Sequence, residues 1–261
     1  MGIKSYRNAD FLESDAARDI RILTDYTYPN SEFNKQKVRD TIVLFGSARI
    51  PEKTEGEKAL QKMQSSGQVS AKQIADYQKR LQLHNYYEAA QKVGYMITKW
   101  GQQVAEGSEE KRLLVCTGGG PGIMEAGNRG AREAGGQSVA LNISLPHEQS
   151  ANAYVSPELS FEFSYFFMRK LWFIHLAKAV IVFPGGFGTA DELFETLTLL
   201  QTKKISNSIP VLLYGSEFWK KVISFEAFLE YGMISEEDLE LFEYVDSPEK
   251  TLEVLQQRVI L

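Results

Sequence analysis

The 261-residue sequence predicts an α/β protein in which a doubly wound, mainly parallel β-sheet is flanked by helices. Eleven of the 20 glycines lie in two short stretches, at 118–136 and 185–188. Each stretch follows an apolar run that lacks polar alternation, and each precedes a helical pattern. Such runs are typical of strands that are buried on both faces of a parallel sheet. The two stretches therefore indicate two strand–loop–helix units in one chain.

Further apolar segments supply the other strands of the predicted sheet. Segment 158–164 alternates apolar and polar residues, which indicates either a further strand or an extended lead-in. The predicted strands are 41–48, 113–117, 138–143, 179–183, 209–215 and, with the weakest pattern, 241–246.

Helical patterns and polar segments define the remaining organisation. Apolar residues recur at helical spacing from Ser70 to about Val104, which predicts a long helix there. The Ser247-Pro248 pair predicts an N-cap and the first residue of a C-terminal helix. Residues 1–40 are predicted to form a polar N-terminal extension with some helix. The rest, 41–261, is predicted to be a single domain with a polar insertion at 51–72.

Composition excludes several classes of protein. The apolar fraction is 43%, enough for a sizeable core, and the net charge of −5 disfavours a nucleic-acid binder. A single cysteine excludes a disulfide framework, and the three histidines lack metal-ligand spacing. No apolar run reaches the roughly 20 residues of a membrane span, and the first residues do not resemble a secretory signal. We expect a cytoplasmic protein that binds no metal, membrane or nucleic acid.

The two glycine-rich loops, GGGPG at 118–122 and PGGFGT at 184–189, predict a binding site for phosphate. Such a loop between a strand and a helix exposes backbone N–H groups at the positive end of the helix. Neither loop is followed by the lysine and serine or threonine of a nucleotide-triphosphate P-loop. A single loop of this kind is also explained by tight-turn packing. Two loops at the carboxyl ends of parallel strands favour a phosphorylated ligand in one shared crevice.

Three charged residues near these loops are open to two interpretations. Thr189 and Glu192 have the spacing of a capping box, with Thr189 as N-cap, but Glu192 also follows the second loop closely enough to face a bound ligand. Arg169 and Lys170 lie in an otherwise apolar helix, either as a pair at its exposed edge or as cations beside an anionic ligand. On the same helix, His175 is expected to lie in the core.

Three segments together resemble the LOG family, whose members were long described as possible lysine decarboxylases. They are GGGPGIMEAGNRGA at 118–131, MRK at 168–170 and PGGFGTADELFE at 184–195. The family motif P-G-G-x-G-T-x-x-E is complete, and the family's R-K pair falls on Arg169 and Lys170. Where this sequence departs from the plant-type motifs, as in GGGPGIMEA, it is similar to the larger bacterial branch of the family.

The resemblance implies a Rossmann-like sheet, a homodimer or higher homo-oligomer, and hydrolysis of the N-glycosidic bond of a purine nucleoside 5′-monophosphate. It implies Arg169 and Glu192 as the catalytic pair and no cofactor. Decarboxylation with pyridoxal phosphate normally requires a lysine, and the glycine loops single out none. The predicted ligand-binding residues are Ser47, Gly118, Gly119, Gly120, Gly122, Met124, Lys170, Gly185, Gly186, Gly188 and Thr189.

Two alternatives remain open at this point. The same loops would serve a non-catalytic carrier of a phosphorylated nucleotide or cofactor, and related Rossmann-like proteins carry the molybdenum cofactor. They would also serve a nucleotide sensor, in which segments 1–40 and 51–72 contact a regulator or a second subunit. The presence of the complete catalytic pair favours the hydrolase over the carrier.

Overall fold

The computed structural model describes residues 3–144, 151–205 and 209–261, and it is built on one seven-stranded sheet. The strands are β1 (Thr41–Phe45), β2 (Leu114–Thr117), β3 (Ser138–Ile143), β4 (Ser160–Phe163), β5 (Ala177–Val182), β6 (Val211–Tyr214) and β7 (Phe242–Val245). Their order is β4-β3-β2-β1-β5-β6-β7, and every neighbouring pair is parallel. The α/β class is thereby confirmed, and each predicted segment coincides with all or most of a strand. The alternating segment contains β4.

Helices connect the strands and cover both faces of the sheet. They are α1 (Ala9–Glu13), α2 (Arg18–Lys35), α3 (Lys53–Ser66), α4 (Ala71–Leu81), α5 (His84–Val104), α6 (Ile123–Glu133), α7 (Phe166–His175), α8 (Phe187–Gln201), α9 (Ser216–Val222), α10 (Phe225–Glu230) and α11 (Pro248–Arg258). The start of α11 confirms the predicted cap, because the Ser247 side chain accepts a hydrogen bond from the Lys250 N–H. No helix among the described residues is long and apolar enough to cross a membrane.

The sheet separates two apolar cores. Val43 and Phe45 of β1 face a core that α7 and α8 cover, whereas Ile42 and Leu44 face a core that α5, α6 and α11 cover. Every residue of β1 is buried. This two-sided burial explains why the strand sequences are continuously apolar instead of alternating.

The prediction of one long helix from Ser70 to Val104 is wrong in one respect, because the structure has two helices, α4 and α5, in this range. A capping box of Ser70 and Gln73 begins α4, and α4 has no buried residue. In α5, by contrast, close backbone packing fixes the helix against α6. A Cβ atom on Gly94 would lie 2.4 Å from the carbonyl oxygen of Gly127. The apolar residues at helical spacing therefore belong to two helices, one on the surface and one buried, which have different packing partners.

The N-terminal segment contributes to the core on one side of the sheet. Phe33 of α2 is 4% exposed, and its ring lies 5.1 Å from that of Phe161 in β4 and 5.3 Å from that of Trp172 in α7. The helix predicted within 1–40 is confirmed.

His175, at the end of α7, is exposed instead of buried, and its ring packs edge-on against Trp172. The expectation of a core histidine is wrong because the last residue of α7 lies beyond the covered face.

The position of β1 determines where a ligand site can form. The chain builds β2, β3 and β4 outward on one side of β1, and β5, β6 and β7 outward on the other. The connections on the two sides diverge at the carboxyl ends of β1 and β5 and leave a crevice there. In open α/β sheets this switch point is the usual ligand site.

Candidate active site

A cleft of about 780 Å³ opens at this switch point. The loop after β1, the GGGPG loop after β2, the PGGFGT loop after β5 and α7 form its walls. Ligand sites for small molecules usually measure about 300–1,000 Å³, so the cleft is large enough for one. The predicted residues on its walls are Ser47, Gly118, Gly120, Met124, Arg169, Gly185, Gly186, Gly188, Thr189 and Glu192. The predicted residues Gly119, Gly122 and Lys170 are not among the cleft-lining residues, and ligand contact by any of these residues remains a prediction.

Ser47 joins the two glycine loops. Its N–H donates to the carbonyl oxygen of Pro184 at 3.0 Å, and its carbonyl oxygen accepts from the Ile123 N–H at 3.0 Å. The Ser47 hydroxyl accepts from the Arg49 N–H at 3.1 Å. That contact uses a lone pair and leaves the hydroxyl proton for another acceptor. The loop after β1 therefore holds the other two loops in place and presents a hydroxyl donor to the cleft.

A buried network of asparagines fixes the GGGPG loop from behind. The Asn152 side chain donates to the carbonyl oxygens of Gly119 and Gly120, each at 3.0 Å, and contacts Asn128 at the same distance. The Gly119 N–H donates to the Thr117 hydroxyl at 3.0 Å. Because buried polar groups are costly unless they are paired, this network favours one conformation of the loop.

Gly119 and Gly122 are required by packing. Both have positive φ angles, +72° and +71°, which side chains rarely adopt. A Cβ atom on Gly119 would lie 2.3 Å from the Asn142 side-chain oxygen, and one on Gly122 would lie 2.4 Å from the Ser47 carbonyl oxygen. These two glycines therefore allow the loop to approach its neighbours, whatever their relation to a ligand.

The predicted capping box of Thr189 and Glu192 is wrong. Helix α8 begins at Phe187 with the extended Gly186 as N-cap, so Thr189 is already the third helical residue. Thr189 is buried against Gly185, and Glu192 pairs with side chains of α7 instead of reaching back. In the described part of the chain no side chain caps α8. The N–H groups of its first turn therefore remain available to an anion at the cleft wall.

Helices α7 and α8 bring Arg169 and Glu192 together at the cleft. The Arg169 Nη2 atom lies 3.6 Å from Glu192 Oε1, and the two side chains are only 15% and 8% exposed. The Arg169 guanidinium also lies 5.1 Å from the centre of the Phe166 ring and 5.5 Å from that of Phe173. Its Nε atom has no hydrogen-bond partner among the residues that the structure describes. Because that atom is itself buried, it is an unpaired polar group beside the carboxylate and is not exposed to the cleft.

Burial dominates the electrostatics of this pair. It raises the pKa of Glu192, although the positive charges of Lys170 and Arg169 partly offset that effect. Burial likewise lowers the pKa of Arg169, and the charges of Glu192 and Asp191 oppose it. A carboxyl group with a raised pKa in a cleft is typical of groups that take part in proton transfer or charge stabilisation.

Lys170 supports the pair from the side away from the cleft. Its Nζ atom lies 2.9 Å from Asp191 Oδ2 and 3.3 Å from Glu192 Oε2, and it also contacts Glu195. Burial lowers the pKa of Lys170, but its contacts with Asp191 and Glu195 and the negative charges of Glu192 and Glu195 together raise it by more, so Lys170 stays charged. The R-K pair therefore contacts one carboxylate, Glu192, from two directions.

Sequence reasoning missed several residues of the site. Arg49 is exposed and lines the cleft two residues after Ser47, and Asn142 lines it at the end of a buried strand. A polar residue at the end of a buried strand is a signal that could have identified Asn142. Asn152 has no comparable local signal, because its contacts with the glycine loop join residues 32 and 33 positions apart.

A pair of alanine substitutions separates ligand contact from packing in the PGGFGT loop. A Cβ atom on Gly186 would meet no protein atom within 4 Å, whereas one on Gly185 would lie 2.1 Å from Thr189 Oγ1. We expect Gly186→Ala to melt like the wild type and to bind a phosphorylated ligand about tenfold more weakly, roughly 1.4 kcal/mol, because the methyl group enters the cleft. Gly185→Ala should lower the melting temperature. Calorimetric titration with ribose 5-phosphate, which has the phosphate but no base to release, measures the affinity, and unchanged binding by Gly186→Ala would contradict a phosphate at this loop.

Comparison with known proteins adds to this geometry. The family model described as "Possible lysine decarboxylase" matches residues 124–255. The pyrimidine/purine nucleotide 5′-monophosphate nucleosidase of Escherichia coli K12 is 29% identical over 119 residues, which are 40% of this chain and 25% of that protein. This match therefore spans only a quarter of the relative's length. The cytokinin riboside 5′-monophosphate phosphoribohydrolase of Rhodococcoides fascians is 31% identical over 140 residues, 49% of this chain and 66% of that protein.

A solved structure of a molybdenum cofactor carrier protein from Chlamydomonas reinhardtii aligns with 84% of this chain and 98% of its own length. Its sequence identity is 19% and its TM-score is 0.46.

Proposed function

Because the chain belongs to the family of possible lysine decarboxylases, the LOG family, we propose that it hydrolyses the N-glycosidic bond of a nucleoside 5′-monophosphate. The products are the free base and ribose 5-phosphate. The observation that carries this proposal is the buried Arg169–Glu192 pair. The pair lies at a cleft whose walls include two glycine-rich loops of the kind that bind phosphate. The names of the relatives from E. coli and R. fascians support the same class of reaction. A purine substrate, AMP or a close relative, is the first candidate.

Glu192 has the properties that this reaction needs. When the bond between the anomeric carbon and the base nitrogen breaks, its electron pair leaves with the base and positive charge develops on the ribose ring. An adjacent carboxylate stabilises that charge, as in glycoside hydrolysis. The carboxylate also orients the attacking water. The oxygen of this water bonds to the anomeric carbon, and the proton that it loses ends on the departing base.

Arg169 and the loops supply orientation. Arg169 holds the ionised carboxylate in place. In this proposal the amides of the PGGFGT loop and the Ser47 hydroxyl bind the 5′-phosphate, which is remote from the bond that breaks. Binding energy from such a remote group is converted into alignment of the reacting atoms.

The chemistry in the family description does not fit the residues of this cleft. Pyridoxal phosphate would require a lysine amine that forms an imine with it. In the described part of the chain, no lysine lines the cleft. Lys170, the nearest in sequence to Arg169, is held by three carboxylates: Asp191, Glu192 and Glu195.

The direct test is incubation of the protein with purine and pyrimidine 5′-monophosphates, the corresponding nucleosides and N6-isopentenyl-AMP, with free base measured by chromatography. We expect base from monophosphates and none from nucleosides, since the loops require the phosphate. Base from nucleosides at equal rates would contradict the phosphate role of the loops. A melting shift with one compound and no base from any would instead identify a carrier.

The pH dependence provides a separate check on Glu192. Burial raises the pKa of its carboxyl group above the 4.5 of an ordinary glutamate. The reaction requires the ionised form, so kcat should fall as the pH drops through this raised pKa, and the acidic limb should therefore lie above pH 4.5. The residual activity of Glu192→Gln should lack this limb. An identical acidic limb in that variant would assign the titration to another group.

A further inference from the structure

The beginning of α7 is capped by a residue from a distant part of the chain. The Tyr165 side chain, at the N-cap position, makes no capping hydrogen bond within the described ranges. Instead, Asp25 of α2 accepts hydrogen bonds through Oδ2 from the Ser164 N–H at 3.0 Å and the Tyr165 N–H at 3.3 Å. A carboxylate in this position pairs the N–H of the N-cap residue and that of the residue before it, and it complements the positive end of the helix.

The same residue of α2 holds α7 at a second point. The Trp172 indole N–H donates to the Asp25 carbonyl oxygen at 3.1 Å. The Trp172 ring lies 5.6 Å from that of Tyr26 and 5.3 Å from that of Phe33, both in α2. Tyr165 and Trp172 are seven residues apart, or about two helical turns. Contacts two turns apart fix both the position of α7 and its rotation about its own axis.

Arg169 lies between these two points, so its direction depends on them. It must reach Glu192 on α8 from one side of α7, and its guanidinium lies between the rings of Phe166 and Phe173. A rotation of α7 would move the guanidinium relative to the carboxylate without disturbing the glycine loops. Misplacement of a catalytic group by about 1 Å can lower a rate by roughly 10²-fold.

We infer that Asp25 is a positioning residue that holds α7 so that Arg169 faces Glu192. This inference rests on the proposed function for its catalytic consequence. It assigns a role to the N-terminal segment, which lies outside the residues that the family model matches. The segment acts on the site through helix α7, and none of its described residues, 3–40, lines the cleft wall.

Two substitutions of Asp25 test this role against a matched control. Asp25→Asn keeps an acceptor oxygen for both N–H groups, and a neutral acceptor suits the site because burial raises the Asp25 pKa by more than the N–H donors lower it. Asp25→Ala removes the acceptor. Asp19→Ala removes an exposed carboxylate from the first turn of the same helix. We expect Asp25→Ala to lower kcat for AMP about tenfold with KM within about twofold, and the other two variants to match the wild type.

The double variant of Asp25→Ala with Arg169→Ala distinguishes positioning from general damage. If Asp25 acts through Arg169, adding Asp25→Ala to Arg169→Ala should cause no further loss of kcat. A further tenfold loss in that background, a parallel loss of AMP affinity, or wild-type kcat in Asp25→Ala would overturn the inference.

Hydrogen exchange keeps this test separate from the proposed function. Amides of α7 should exchange faster in Asp25→Ala than in Asp25→Asn or Asp19→Ala, whether or not the protein releases base. Equal exchange in all variants would overturn the inference even in an active enzyme. A wild-type protein that releases no base would refute the proposed hydrolysis, while the exchange rates would still decide whether Asp25 holds α7.

Discussion

Replacement of Glu192 by glutamine is expected to lower base release by about 10²–10⁴-fold, the range for a general acid–base group. Glutamine has nearly the same shape but carries no negative charge, so it can neither stabilise the positive ribose ring nor take a proton from water. Because burial already disfavours the charged carboxylate, which its raised pKa reflects, the substitution should not lower the melting temperature. A single-turnover measurement with the protein in excess over AMP, with free base measured by chromatography, reports the effect on the chemical step.

The matched control for this variant is Glu195→Gln. Glu195 lies one helical turn further along α8, also contacts Lys170, and is 34% exposed compared with 8% for Glu192. We expect it to retain activity within a few-fold of the wild type. Equal losses in the two variants would point to the shared Lys170 network, and more than a tenth of wild-type activity in Glu192→Gln would remove the carboxylate from the mechanism.

Replacement of Arg169 by alanine is expected to lower kcat by about 10²-fold, because the carboxylate loses its orienting partner. The guanidinium charge also lowers the pKa of Glu192. Without it, that pKa should rise further, and the acidic limb of the kcat profile should move to higher pH. Arg169→Lys should restore part of the pH shift through its charge but little of the rate, since an ammonium group lacks the planar fork of arginine.

Arg129→Ala is the control for the loss of a cation. Arg129 forms an ion pair with Glu133 on the surface of α6 and does not line the cleft. It should leave kcat and the pH profile unchanged. An Arg169→Ala profile with an unmoved acidic limb would show that the two charges do not interact across 3.6 Å.

Much of the fold and part of the candidate site follow from local sequence patterns. The buried strands and the loops at their carboxyl ends are encoded within short segments, so the crevice and the position of Glu192 beside it were predictable. The capping box failed because Glu192 pairs with α7, a contact that its own helix does not reveal. The roles of Asn152 and Asp25 could not be predicted for the same reason, since the hydrogen-bond partners described above lie 24 to 140 positions away.

The cap that α2 provides also sets an order of events during synthesis. Asp25 and the amides that it caps are 139 and 140 positions apart. At about 5–20 residues per second, the ribosome produces α7 roughly 7–28 s after Asp25. Throughout that interval, Phe33 and Tyr26 lack their packing partner Trp172. The arginine-bearing wall of the cleft is therefore completed late, and a newly made chain exposes these aromatic side chains until then.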